Sequence, residues 1–120
     1  MAKILVIDDQ QTVRSFLRLV LEREGHEIAE ARDGHEGLTA YQREPADLVI
    51  ADIRMPEMNG LDLILELTRC FLNAKVIAIS GAADASDNLS KAKLLGARHV
   101  LQKPFGLEEF LSSVRYELAH

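Results

Sequence analysis

Short, unbroken apolar runs alternate along the chain with segments in which apolar residues recur every three or four positions. The runs are Ile4-Leu5-Val6-Ile7, Asp47-Leu48-Val49-Ile50-Ala51 and Lys75-Val76-Ile77-Ala78-Ile79, all rich in β-branched residues. Continuous rather than alternating apolarity marks strands buried on both faces, as in a parallel sheet covered by helices. Weaker strands are predicted from His26 to Ala31 and from His99 to Gln102.

The spacing between these runs is helical. Val13, Phe16, Leu17, Val20 and Leu21 draw one apolar stripe, and Leu107, Phe110, Leu111, Val114 and Leu118 draw another near the end of the chain. Leu61, Ile64, Leu65, Thr68 and Phe71 predict a third helix, opened by Asn59-Gly60. Gly25, Glu44-Pro45 and Gly96 stand where helices should stop. Helices over about 36–43 and 84–95 have thinner apolar faces, so less burial holds them and they are the better candidates for movement. Strand and helix alternate five times with no linker or repeat, which predicts one domain over residues 1–120. The expected architecture is α/β: a doubly wound, five-stranded parallel sheet in the order 2-1-3-4-5, the flavodoxin-like (βα)5 arrangement.

That architecture gathers the polar residues that interrupt the pattern. Asp8 and Asp9 follow the first strand, Asp52 the third, Ser80 the fourth and Lys103 the fifth. The carboxyl ends of parallel strands form one edge, and ligands bind there beside the point where strand order reverses. Singly each residue has a plainer explanation: a helix N-cap, a turn or a surface charge. Their arrival at one edge from four separate strands argues for a shared site. Three neighbouring carboxylates need a proton or a cation at neutral pH, and Mg²⁺ suits an oxygen-only donor set of this kind. A carboxylate in such a site can attack phosphorus, with an ammonium (Lys103) and a hydroxyl (Ser80) to receive the phosphoryl oxygens.

Composition narrows the partners. Among 120 residues, 19 acidic against 14 basic ones give a net charge of -5, which disfavours direct nucleic-acid binding. The run from Ile4 to Ile7 is too short for a signal peptide or a membrane span, so a cytoplasmic protein without membrane insertion is expected. The one cysteine, Cys70, lies in an apolar stretch and is expected to be a buried, inert thiol.

The motifs together resemble the receiver domains of bacterial two-component response regulators. They are the apolar strand ending in Asp8-Asp9, Asp52-Ile53-Arg54-Met55-Pro56 with Gly60, Ile79-Ser80-Gly81, and Lys103-Pro104-Phe105. The resemblance implies that Asp52 is the phosphoacceptor for a histidine kinase or histidine phosphotransfer protein. It implies that Mg²⁺ is held by Asp9, Asp52 and the main-chain carbonyl of Arg54, with Asp8 acting partly through water. Lys103 would contact the phosphoryl oxygens, Ser80 would be the switch hydroxyl, and the Lys103-Pro104 peptide would be cis. The output surface would be the fourth helix, fifth strand and fifth helix, read by a downstream protein partner or by an effector domain outside this chain. Such a protein is a switch rather than an enzyme, catalysing only its own phosphorylation and dephosphorylation.

The family commonly has Tyr or Phe where this chain has Val100, and His99 is the neighbouring candidate to substitute for it. Arg54 and Ala82 stand at positions that tune phosphoryl lifetime in the family. Alternatives are an unphosphorylated interaction module, a Mg²⁺-dependent aspartyl-phosphate phosphatase and a flavin or nucleotide binder. The phosphatase is disfavoured by Arg54, which stands where a second acid is usual, and the nucleotide binder by the lack of a glycine-rich loop after the first strand.

Overall fold

A computed structural model describes residues 2–53, 60–71, 73–81, 90–93 and 95–120. The elements are β1 (Lys3–Ile7), α1 (Gln11–Arg23), β2 (Glu27–Ala31), α2 (Gly34–Arg43), β3 (Leu48–Asp52), α3 (Gly60–Cys70), β4 (Val76–Ser80), β5 (His99–Gln102) and a last helix, α5 (Leu107–Ala119). Helical residues 90–93, between β4 and β5, belong to α4. The rest of the predicted helix over 84–89, with Ala82 and Arg54, lies outside the described residues.

All five strands are parallel, in the order β2-β1-β3-β4-β5, as the pattern predicts. The central strands β3 and β4 are buried at every position, whereas β2 and β5 expose residues at the sheet edges. Within each unbroken apolar run the side chains still alternate between faces. Ile4, Val6, Leu48, Ile50, Ile77 and Ile79 meet Leu17 and Leu21 of α1 and Phe110, Leu111 and Val114 of α5. Leu5, Ile7, Val49, Ala51, Val76 and Ala78 meet Tyr41 of α2, Leu63, Ile64 and Leu67 of α3, and Ala92 of α4. The sheet is therefore covered on both faces, and its central strands β3 and β4 are shut off from water.

Gly25 and Gly96 end their helices at φ +91° and +117°, a left-handed backbone that side chains rarely adopt. The α2 helix starts two residues earlier than the apolar pattern predicts because Asp33 caps it, accepting the Glu36 N–H at 2.8 Å.

Three side chains depart from the predicted stripes. Phe16 is 56% exposed, and Leu107 and Leu65 are exposed as well. In α3 the buried face runs through Leu63, Ile64 and Leu67, so the helix is rotated from the predicted stripe by about one position. Cys70 is exposed, against the expectation of a buried thiol, because it is the last residue of α3, beyond the packed turns, and its Sγ lies on the exposed side 3.9 Å from Glu66 Oε2.

Candidate functional site at the carboxyl edge of the sheet

The register brings the acids together. Ile7 pairs with Ala51, so Asp8 and Asp52, each one residue further on, end adjacent strands side by side. Each stands two residues beyond a residue of the α1/α5 face, Val6 and Ile50 respectively, so both carboxylates leave the sheet on the same side. Asp52 and Ser80 prove to be the last residues of their strands rather than the first residues after them.

Asp8 is 2% exposed and Asp52 8%. The Lys103 ammonium lies 3.2 Å from Asp52 Oδ2, reaching across the end of β4 from the loop after β5. That loop is pinned where Lys103 donates its main-chain N–H to the Ser80 carbonyl at 2.7 Å, and the Lys103-Pro104 peptide is cis. The Asp8 carboxylate accepts the Gln10 N–H at 2.8 Å.

Burial pushes the Asp8 carboxyl up from its ordinary 3.8 to about 6. The Gln10 N–H and the Lys103 ammonium oppose the rise, while the Asp52 charge and an Asp8–Asp52 hydrogen bond that needs a proton favour it. Two carboxylates thus adjoin in a buried place with the Lys103 ammonium beside them, and a hard dication would supply further compensating charge.

Not every predicted residue joins this pair. Asp9 is exposed beside it, and among the described residues no three acid, imidazole or thiol side chains already converge as a closed metal cage. The open set of two buried carboxylates, with a third at the rim, still fits Mg²⁺, which keeps waters and takes phosphate oxygens. Ser80 is fully buried, and its hydroxyl donates to the Gly81 carbonyl at 3.3 Å rather than to the acids. Val100 packs on the α2/α3 face, the face to which Ser80 belongs by strand alternation. His99 shares the opposite face with Leu101, so it does not substitute for an aromatic side chain at Val100. Sequence reasoning missed Arg14, whose guanidinium donates to the Asp8 carbonyl at 2.6 Å from the second turn of α1. Its distance in sequence from Asp8 carries no signal until the helix is built.

Residues 4–115 match the response regulator receiver domain family. The chain belongs to that family. This receiver domain is 38% identical over 115 residues to the transcriptional regulatory protein KdpE of Mycobacterium tuberculosis, a match covering 96% of this chain and 50% of that protein. It is 36% identical over 104 residues to the chemotaxis protein CheY of Thermotoga maritima, covering 86% of each. A solved receiver domain protein from Clostridium thermocellum superposes with a TM-score of 0.92 at 31% identity, over 99% of this chain and 95% of that one. The chain spans about half the length of the transcriptional regulators it matches. Receiver domains serve two-component signalling and generally bind Mg²⁺ at the phosphorylation site. Among the described residues no helix is long and apolar enough to cross a membrane.

Proposed function

We propose that residues 1–120 form one phosphoacceptor switch, with Asp52 as the acceptor. The observation that carries this reading is the Asp8–Asp52 carboxylate pair with the Lys103 ammonium 3.2 Å from Asp52. A lone buried acid would be neutralised by a proton, but two acids and a lysine form a site for a dication and a phosphoryl group together.

Asp8, Asp9 and Asp52 would hold Mg²⁺, together with the main-chain carbonyl of Arg54, which the family pattern adds. The metal ion supplies positive charge against the carboxylates and the phosphoryl oxygens. An Asp52 carboxylate oxygen attacks phosphorus; an O–P bond forms as the bond from phosphorus to the donor breaks. With a histidine kinase or a histidine phosphotransfer protein as donor, the imidazole leaves with the electron pair and picks up a proton. Lys103 neutralises the incoming oxygens, and water later cleaves the acyl phosphate. The phosphoryl charge also offers the Ser80 hydroxyl an acceptor stronger than the Gly81 carbonyl, the differential contact that a two-state switch requires.

The output face is α4, β5 and α5, read by a partner protein or by an attached effector domain. Nucleic-acid contact, if the pathway ends there, belongs to that effector, since the receiver carries a net charge of -5. A cytoplasmic site of action goes with such a phosphodonor.

The test is intact mass after incubation with Mg²⁺ and acetyl phosphate. The parent should gain one phosphoryl group, labile to hydroxylamine and absent without Mg²⁺, and Asp52→Asn should gain none. A parent without adduct from acetyl phosphate or from a phosphorylated histidine donor returns the chain to the unphosphorylated-module alternative.

A further inference from the structure

Arg14 makes two contacts with one planar group. A terminal guanidinium nitrogen donates to the main-chain oxygen of Asp8 at 2.6 Å, and Nε donates to Glu30 Oε1 at 3.1 Å. The side chain is 15% exposed and that of Glu30 26%, so this is a partly buried fork rather than a freely solvated surface ion pair. Glu30 lies in the edge strand β2, and its other oxygen accepts from Arg18, one turn further along α1. Both arginines strap α1 to β2, but their ends differ. Arg18 directs its other bond to Glu22 on its own helix, whereas Arg14 reaches into the loop that carries the acids.

That loop is otherwise anchored by single bonds. Asp8 donates its N–H to the Ala31 carbonyl at 3.1 Å, and its side chain turns back onto the Gln10 N–H. The Asp8 carbonyl belongs to the peptide that joins Asp8 to Asp9. A grip on that oxygen sets the peptide plane from which both acids project.

We infer that Arg14 is a positioning residue for the acid pair: braced by Glu30, it fixes the Asp8-Asp9 peptide and thereby sets the affinity for Mg²⁺. The inference rests on the reading of Asp8, Asp9 and Asp52 as Mg²⁺ ligands. Its sign separates it from a charge effect. A guanidinium beside a dication repels it, so by charge alone the loss of Arg14 would tighten Mg²⁺ binding. Positioning demands the reverse, because ligands freed from their outer partners bind metal about 10- to 100-fold more weakly.

The experiment is calorimetric Mg²⁺ titration at neutral pH of the parent, Arg14→Met, Arg14→Lys and Arg18→Met. Amide hydrogen exchange at Asp9 and Gln10 in the metal-free proteins is measured alongside. Arg14→Met should bind Mg²⁺ about tenfold more weakly and speed exchange at Asp9 and Gln10. Arg14→Lys keeps the charge but cannot span both acceptors as a fork, and should fall about threefold below the parent. Arg18→Met loses the same strap without touching the acid loop and should stay within about twofold. Unchanged or tighter binding in Arg14→Met, or an equal loss in Arg18→Met, overturns the inference and leaves the ligand reading standing. Should Arg14→Met fail to fold, Arg14→Lys decides, and a parent-like affinity there overturns it. A parent that binds no Mg²⁺ overturns the ligand reading and, with it, the role given to Arg14.

Discussion

The two edges of the sheet treat buried charge in opposite ways. At the amino edge, Glu117 near the end of α5 is 4% exposed, yet its carboxylate meets the Arg98 guanidinium at 3.2 Å. Its main-chain oxygen accepts from the Lys75 ammonium at 2.8 Å, and Asp47 accepts the Lys3 N–H at 2.8 Å. Each acid there has been given an opposite charge or a donor, and the result ties α5 and the starts of β1, β4 and β5 together. At the carboxyl edge, Asp8 and Asp52 are set side by side, and Asp8 is driven up to about 6. One edge uses charge to close the fold. The other concentrates like charge that Lys103 offsets in part and that a proton or an added cation would relieve further, and this local conflict marks it as a candidate site.

If that contrast is right, removing one charge should have opposite signs at the two edges. The largest effect is expected from Arg98→Met, which leaves Glu117 buried without its guanidinium. Because Arg98 itself is 44% exposed, the loss should be about 2 kcal/mol rather than the 3–5 kcal/mol of a fully buried pair. Urea denaturation measures it, and an unchanged midpoint would mean that water already satisfies Glu117.

Asp8→Asn should do the reverse, stabilising the metal-free protein by about 1–2 kcal/mol near neutral pH while weakening Mg²⁺ binding. The pH dependence gives the sign independently. The folded pKa of about 6 lies above the ordinary 3.8, so the native state binds the proton more tightly. The parent's contribution from Asp8 is complete below 3.8 and is lost as pH rises through about 6. The advantage of Asp8→Asn should therefore shrink on acidification across that window, as thermal melts in a chelating buffer would reveal. A constant or growing advantage would show that Asp8 is not the strained group.

The smallest effect is expected from Asp47→Ala. Its bond to the Lys3 N–H is exposed, so its removal should cost about 0.5–1 kcal/mol. A larger loss would mean that the amino edge is held mainly by this bond rather than by Glu117.

Much of this was legible in the residues alone. Unbroken β-branched runs required a sheet covered on both faces, and five strand–helix alternations left little choice of topology. Because strand ends then share an edge, Asp8, Asp52 and Lys103 could be assigned to one place before any coordinate was known. The cis Lys103-Pro104 peptide, by contrast, came only through the family resemblance. The stripes were less legible: Phe16, Leu65 and Leu107 are as apolar as their buried neighbours, and Cys70, although set in an apolar stretch, is exposed at the last position of α3. Helical periodicity says that a face exists, but its edges depend on what lies opposite.

The sequence by itself determined the order of elements, the parallel sheet and the edge on which its reactive side chains stand, because these follow from local periodicity and from the connectivity of βα units. Only the tertiary structure decided that Asp8 and Asp52 adjoin while Asp9 stands at the rim, that His99 and Val100 face opposite ways, and that Glu117 is buried against Arg98. It also decided that Arg14 grips the Asp8 carbonyl. Each of these depends on register, strand parity or a contact between distant segments, and such distances have no counterpart along the chain.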